Sequence, residues 1–216
     1  GSEMCIRDRY YESRSGQQEG QGVQKAAAAG KSTMKVHYID VGQGSAVLVQ
    51  SGVHFMLIDG GDSDASSKVV SYLKRQKVKK LDYVVVSHYD SDHLNGVVGA
   101  LNVFKVKRVI APAYTADSRV YESYCNIIAQ KKIATTRPKA GKKYKLGKAR
   151  FTILAPNSSG YVDENNYSIA LKLVNGKNRF VITGDAETES EYEMVENGQN
   201  LSCDVYMACL LYTSPS

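Results

Sequence analysis

Short apolar runs, separated by glycine-rich or charged segments, dominate the chain from Met34 onward. The runs MKVHYIDV and SAVLVQS predict two strands on either side of GQG, Gly42–Gly44, which we interpret as a tight hairpin turn. The run LDYVVVS is nearly all apolar, which is typical of a strand that is buried on both faces. Further strands are predicted at HFMLIDGG, VKRVIAP, ARFTILAP, YSIALKLV, RFVITGD and CDVYMA.

Helical spacing recurs between the predicted strands. Apolar positions predict a helix over 64–77 with a lysine-rich outer face. Another helix is expected to begin near Asp92 or His93, and two more are expected over Ser118–Lys131 and Glu187–Glu196. Because helices alternate with strands, the pattern favours an α/β fold in which helices cover mixed sheets.

Length and composition are those of a single globular domain. The chain has 216 residues, of which 43% are hydrophobic and 23% are charged, and this is enough for one sizeable core. No apolar run approaches the roughly 20 residues that span a bilayer, so no transmembrane segment is predicted. The formal net charge of +6 is compatible with phosphate-rich partners.

Positive charge is most concentrated in RPKAGKKYKLGKAR, Arg137–Arg150, which contains seven cations and no acidic residue. Two interpretations of this segment stay open. In the first it is a solvated hairpin loop, and in the second it contacts the phosphate backbone of nucleic acid.

The two ends of the chain are interpreted as foreign to the gene. The codons TGTCTCTTATACACATCTCCGAGC encode CLLYTSPS, residues 209–216, and their reverse complement in another frame encodes SEMCIRD, residues 2–8. A natural gene is not expected to carry both strands of one oligonucleotide at its ends, so residues 1–9 and 209–216 are predicted to derive from a sequencing adapter. Residues 10–33 lack a core-forming pattern and are predicted to link the domain over 34–208 to an upstream domain or membrane anchor.

Four side chains that can bind metal lie within VVVSHYDSDHLNG, directly after an apolar run; they are His88, Asp90, Asp92 and His93. Alternate residues of an extended loop point to one side, so His88 and Asp90 can share one ion. Asp92 and His93 would turn with the helix toward a second ion. Imidazole nitrogen and carboxylate oxygen together suit zinc, or manganese and iron where oxygen dominates. In the alternative, Asp92 only caps the helix and the histidines are polar surface residues.

Several blocks of the chain resemble the metallo-β-lactamase superfamily in the same order along the sequence. SHYDSDHLNG resembles the superfamily motif His-x-His/Asp-x-Asp-His, with Asp90 at a position that many members fill with His. YIDVGQGSAVLV, MLIDGG, NNYSIALKL and FVITGDA resemble further blocks of the soluble domain of the ComEC/Rec2 competence proteins. The resemblance covers residues 34–208.

This resemblance implies an α/β fold, the metallo-β-lactamase-like αββα sandwich, truncated here at its C-terminus. It also implies two divalent metal ions, zinc or manganese. His88 and Asp90 would bind the first ion, and Asp92 and His93 would bind the second. Asp185, in the TGD block, would bridge the two ions.

Other positions gain expected roles from the same resemblance. Asp92 would orient the attacking hydroxide, and Asp59 would orient a metal ligand rather than bind metal itself. Two departures from the family pattern weaken the implied centre. Ser45 stands where the opening block usually has Asp, and CLLYTSPS follows CDVYM where the family has Gly-His-His-Gly-Ser. Because that motif supplies a late metal ligand, weak or absent catalysis is expected from these 216 residues.

The function that the resemblance implies is a metal-dependent hydrolase, a phosphodiesterase or nuclease that acts on DNA during competence DNA uptake. The family context places such a domain on the outer side of the cell envelope. Two alternatives stay open, because the fold alone does not decide the substrate. One is a metallo-hydrolase of small ester, lactam or thioester substrates, and the other is a non-catalytic binding module.

Overall fold

Two β-sheets packed face to face form the centre of the protein in the computed structural model, which describes residues 9–14 and 33–208. The strands are β1 (Arg9–Arg14), β2 (Thr33–Tyr38), β3 (Val47–Ser51), β4 (His54–Ile58), β5 (Lys80–Leu81), β6 (Tyr83–Val85), β7 (Lys105–Val106), β8 (Val109–Ile110), β9 (Thr135–Thr136), β10 (Lys143–Leu146), β11 (Ala149–Ile153), β12 (Leu171–Asn175), β13 (Asn178–Ile182) and β14 (Val205–Met207). The helices are α1 (Ser63–Arg75), α2 (Ser91–Val103), α3 (Arg119–Lys131) and α4 (Thr188–Glu196), with a 3-10 helix over Glu164–Tyr167.

The first sheet has the strand order β1-β2-β3-β4-β6-β8-β9, and the second has the order β10-β11-β12-β13-β14. Strands β1 to β4 pair antiparallel, whereas β4, β6, β8 and β9 are parallel neighbours. Helices α1, α2 and α3 lie between these parallel strands in the chain. This is expected, since parallel neighbours need a crossover connection. A short parallel pair, β5 and β7, lies apart from both sheets.

Alternation along the apolar strands explains how the first sheet is buried on both faces. In β4, Leu57 belongs to the cluster beneath the helices, whereas Ile58 belongs to the cluster between the sheets. Val84 and Val85 divide in the same way in β6. Successive side chains of a strand point to opposite faces, so a wholly apolar strand fits a sheet that is covered on both sides. The prediction from LDYVVVS is confirmed.

Helices form the outer layers of the fold. Helices α1, α2 and α3 cover the first sheet through apolar residues that include Leu73, Val97 and Ile127. Helix α4 covers the second sheet, where Met194 packs with Val181. Among the described residues, none of the helices has the length and apolar character needed to cross a membrane. The layers are therefore helix, sheet, sheet and helix, and the predicted αββα sandwich is confirmed.

A pair of glycines sets how closely α2 approaches the end of β4. A Cβ on Gly96 would lie 1.8 Å from the carbonyl oxygen of Gly60, and a Cβ on Gly60 would lie 2.3 Å from the Val97 nitrogen. Two backbone hydrogen bonds use this closeness, from Gly60 N to His93 O at 2.8 Å and from Gly96 N to Gly61 O at 3.2 Å. The first turn of α2 is thereby held against the residues that follow β4.

Residues 9–14 pair as β1 with β2, although they fall in the segments predicted to be adapter and linker. Their sequence, RYYESR, contains adjacent tyrosines, and aromatic residues favour strands. This part of the predicted linker is therefore a strand at the edge of the first sheet. Residues 1–8, 15–32 and 209–216 lie outside the described part of the chain, so the origin of the two ends stays a prediction.

Two loops also differ from their predicted form. GQG is not a tight turn, because residues 39–46 connect β2 to β3 as a longer loop. The reason is a tertiary contact: the Gln43 amide reaches α2, where its Nε2 donates to Asp92 Oδ2 at 3.1 Å.

In the basic segment Arg137–Arg150 a hairpin is present, but its first arm is the strand β10, paired antiparallel with β11.

The glycine contact can be tested by substitution. We expect Gly96→Ala to lower the free energy of unfolding by about 1–3 kcal/mol, because the added methyl group meets the Gly60 backbone, which cannot turn aside. Gly99→Ala is the matched control on the same helix, since its closest neighbour is the rotatable Ser66 hydroxyl at 2.3 Å. Urea denaturation followed by circular dichroism measures both variants. If Gly96→Ala were as stable as the wild type, the proposed close contact would be wrong.

Candidate metal centre

The predicted metal ligands lie where strands of both sheets end. His88 follows β6, and His93 lies in the first turn of α2. Asp185 follows β13, which belongs to the second sheet. A backbone hydrogen bond from Ile169 N to Ser87 O, at 2.9 Å, joins the sheets beside the end of β6. Sheet packing thus brings together groups that are distant in the sequence.

His88, His93 and Asp185 form a compact, buried group. Each offers one potential ligand atom, and these atoms lie within 4.8 Å of one another. His93 Nε2 is 3.1 Å from Asp185 Oδ1, and the two imidazole centroids are 4.3 Å apart. Both histidines are fully buried, and Asp185 is 4% exposed. Two nitrogens and one carboxylate oxygen in such proximity are a donor set that a divalent metal ion can bind.

The Asp59 carboxylate orients the His93 ring. Its Oδ2 lies 2.9 Å from His93 Nδ1 and also accepts a hydrogen bond from Ser87 Oγ at 2.7 Å. Its Oδ1 accepts a hydrogen bond from Ser87 N at 2.7 Å. A ring whose Nδ1 faces a carboxylate presents Nε2 to the other side, here toward Asp185. The orienting role of Asp59 stays a prediction, and the contact with His93 Nδ1 is the observation that supports it.

Two serine hydroxyls orient the other imidazole. His88 Nδ1 lies 2.9 Å from Ser87 Oγ and 3.4 Å from Ser168 Oγ. The opposite nitrogen, His88 Nε2, is buried and has no hydrogen-bond partner among the described residues. Burying a polar atom without a partner costs free energy, and a bound metal ion would remove this cost. The His88 environment therefore fits a metal ligand.

Gly184 allows Asp185 to reach the histidines. Its φ of 57° is left-handed, and a Cβ at this position would lie 2.6 Å from Ser87 Cβ. Glycine thus permits both the turn after β13 and its contact with the end of β6. Asp185 N then donates to Ser168 Oγ at 3.2 Å, which fixes the turn beside His88.

Asp90 lies next to the buried group but faces solvent on one side. Its Oδ2 is 3.6 Å from His88 Nε2, and its side chain is 51% exposed. The interaction with His88 lowers the pKa of Asp90, and the nearby His93 acts in the same direction. Asp90 therefore stays ionised to lower pH than a free aspartate, and it can serve as an oxygen ligand.

Asp92 lies outside the buried group of three. It is in the first turn of α2, and Gln43 Nε2 donates to its Oδ2 at 3.1 Å. The interpretation that Asp92 caps this helix is wrong, because the N-cap position belongs to Asp90. Thus the structure brings together His88, His93 and Asp185 and places Asp90 beside His88. Asp92 lies in the first turn of α2 and is not part of the buried group.

An acidic cavity of about 430 Å³ opens at Asp90 and Asp92. Its lining includes Asp90, Asp92, Asp117 and Glu164, and among the described residues no lysine or arginine lines it. Carboxylates that share one cavity repel one another, and bound cations remove this repulsion. Both the donor atoms of the buried group and the acidic cavity beside it therefore fit divalent cations.

Three contributors to this centre were missed at the level of sequence. Ser87 and Ser168 contact His88, and Gln43 contacts Asp92. Ser168 and Gln43 fall within the blocks NNYSIALKL and YIDVGQGSAVLV, so the block pattern was an available signal for both. For Ser87 the signal was only its place directly before the metal motif.

We expect Asp59→Asn to weaken zinc binding by about 10- to 100-fold, because it removes the charge that orients His93 while keeping the shape of the side chain. Competition with a fluorescent zinc chelator measures the affinity. The matched control is Asp82→Asn, which alters a second buried aspartate, 3.0 Å from His54 and away from the centre. Thermal melts report whether each variant folds. Unchanged zinc affinity in folded Asp59→Asn would contradict the orienting role.

Comparison with known proteins identifies the family of the chain. The model of the metallo-beta-lactamase superfamily matches residues 39–207. The chain is 27% identical over 191 residues to ComE operon protein 3 of Bacillus subtilis (strain 168), which covers 79% of this chain and 24% of that protein. It is 30% identical over 168 residues to competence protein ComA of Neisseria gonorrhoeae, which covers 77% of this chain and 22% of that protein.

A solved metallo-beta-lactamase from Cronobacter sakazakii, a HARLDQ motif mutant, has a TM-score of 0.55 at 14% identity, covering 80% of this chain and 76% of that chain. At this identity the likeness shows the fold alone. The chain spans about a quarter or less of the length of the competence relatives, since it covers 24%, 19% and 22% of three of them. The family match includes every residue of the buried group. The chain therefore belongs to the metallo-β-lactamase superfamily.

Proposed function

We propose that this domain is a phosphodiesterase that uses two divalent ions, zinc or manganese, to hydrolyse DNA. The observation that carries the proposal is the convergence of His88, His93 and Asp185 beside an acidic cavity. When bound, such a pair of ions lowers the pKa of a coordinated water to about 7 and stabilises the charge of a phosphoryl group.

Five residues would hold the two ions. His88 and Asp90, whose Nε2 and Oδ2 atoms lie 3.6 Å apart, would hold the first. His93 and Asp92, which share the first turn of α2, would hold the second. Asp185 would bridge them, since its Oδ1 already lies 3.1 Å from His93 Nε2.

Asp92 would also orient the attacking hydroxide. Its carboxylate lines the acidic cavity, and the Gln43 amide fixes its direction through Oδ2. A group that positions a nucleophile must be held within hydrogen-bond reach of it. Gln43 therefore supports the role by restricting the Asp92 side chain.

DNA is the proposed substrate because of charge on the β10–β11 hairpin. Lys145 lies directly opposite Arg150 in the ladder, and both are exposed. Like charges directly opposite one another weaken a sheet, and a phosphate backbone would offset their repulsion. The second support is that competence protein ComA is among the relatives, and the resemblance to competence proteins implies DNA uptake.

The same relatives support a cellular setting. Competence proteins take DNA across the cell envelope, so we propose that this domain works on the outer side of that envelope. An upstream membrane anchor or further domain is part of the proposal. Sequencing the complete gene tests it, and a reading frame with neither an anchor nor an export signal would contradict it.

Hydrolysis assays test the chemistry directly. The chain would be incubated with Zn²⁺ or Mn²⁺ and labelled oligonucleotides, with a chromogenic lactam in parallel. We expect oligonucleotide cleavage that EDTA abolishes, slow enough to need high protein concentration. Asp185→Asn should reduce it by at least about 100-fold, because losing a ligand exceeds the 10- to 100-fold cost of losing an orienting group.

The control variant is Asp204→Asn, which breaks an exposed ion pair with Arg179 at 2.8 Å and leaves the centre intact. Cleavage by Asp204→Asn should match the wild type. If the chain hydrolysed the lactam but not the oligonucleotide, a small-molecule substrate would be assigned instead. Metal binding without any hydrolysis, even after Gly-His-His-Gly-Ser is restored behind CDVYM, would favour a binding module.

A further inference from the structure

A second cavity, of about 370 Å³, is lined by residues 138–140, which precede the basic hairpin, and by Tyr167, which precedes Ser168 of the metal centre. Its lining includes Pro138, Lys139, Pro156, Asn157 and Tyr167. The proline rings and the tyrosine ring offer flat apolar surface. Asn157 and Lys139 offer a hydrogen-bonding amide and a cation.

Tyr167 connects this cavity to the metal centre. It directly precedes Ser168, whose hydroxyl lies 3.4 Å from His88 Nδ1 and accepts a hydrogen bond from Asp185 N at 3.2 Å. One peptide unit therefore separates a cavity-lining ring from the residue that contacts both sides of the buried group.

The Tyr167 ring is fixed by its neighbours. It packs on Tyr114 with centroids 4.6 Å apart, and the Tyr161 ring lies perpendicular to it with centroids 4.9 Å apart. Gly160 N donates to Tyr167 OH at 2.9 Å, and Ser158 N donates to Tyr161 OH at the same distance. The cavity wall over 156–160 is thus tied to the tyrosines. A rigid aromatic ring loses little entropy when a ligand stacks on it.

The chemistry of this lining selects a nucleobase. Bases of single strands stack on aromatic side chains, while nearby cations follow the phosphates. Lys139 belongs to the basic segment Arg137–Arg150, which continues through the exposed Lys142, Lys143 and Lys145. Flat apolar walls, one amide and an adjoining cationic track match one base with its phosphate.

We propose that this cavity is a nucleobase subsite, which receives the base next to the phosphodiester at the metal centre. The inference rests on the proposed function and refines its substrate to single-stranded nucleic acid, because a paired base is not free to enter. Tyr167 acts as the stacking residue and Lys139 contacts the adjoining phosphate. Duplex DNA would bind only through its backbone.

Binding without metal tests the subsite separately from hydrolysis. Fluorescence anisotropy in EDTA would compare a labelled oligothymidylate with an abasic oligomer of equal length. We expect the wild type to prefer the normal oligomer, and Tyr167→Ala to weaken its binding by about 5- to 150-fold without changing abasic binding. Tyr167→Phe, which keeps the ring, should remain within about twofold of the wild type.

Two further variants make the result decisive. Lys139→Ala should weaken both oligomers equally and reduce the salt dependence by about one unit, as expected for one phosphate contact. Tyr192→Ala is the control, because Tyr192 is a 66% exposed tyrosine of α4 outside this cavity. Equal losses for normal and abasic oligomers in Tyr167→Ala would overturn the subsite. If Tyr167-dependent binding persisted while hydrolysis failed even with Gly-His-His-Gly-Ser restored behind CDVYM, the proposed chemistry alone would fall.

Discussion

The candidate centre depends on the contacts that the buried Asp59 carboxylate makes with Ser87 and His93. Asp59 is 1% exposed, and its carboxylate accepts hydrogen bonds from Ser87 N and Oγ and contacts His93 Nδ1. Its backbone is left-handed, with φ of 54°, which is costly for a residue other than glycine. A buried carboxylate is tolerated only when its oxygens are satisfied. Three elements, the ends of β4 and β6 and the start of α2, therefore share one set of hydrogen bonds.

The second half of the centre comes from the other sheet. Asp185 and Ser168 belong to segments that flank β13 and β12, and the contact of Gly184 with Ser87 brings them to the histidines. The apolar layer between the sheets fixes the distance between these segments. The geometry of the polar site is therefore inherited from the packing of the apolar core.

Charge is distributed unevenly around this geometry. Carboxylates of Asp90, Asp92 and Glu164 line the cavity at the centre, while the cations of Arg137–Arg150 lie on the β10–β11 hairpin. Cations would stabilise the carboxylates of the cavity, and anions would stabilise the cations of the hairpin. A phosphodiester held on divalent ions would satisfy both, which unites the proposed chemistry with the proposed substrate.

The sequence by itself determined the layers of the fold, because alternation and helical spacing are local properties that packing did not override. It also marked the segment that holds His88 and His93, and the family resemblance added Asp185 and an orienting Asp59. Only the tertiary structure decided which atoms meet. Helix α2 begins at Ser91, so Asp92 turns toward Gln43 whereas Asp90 stays beside His88. Such directions follow from contacts between distant segments, and no local pattern of residues encodes them.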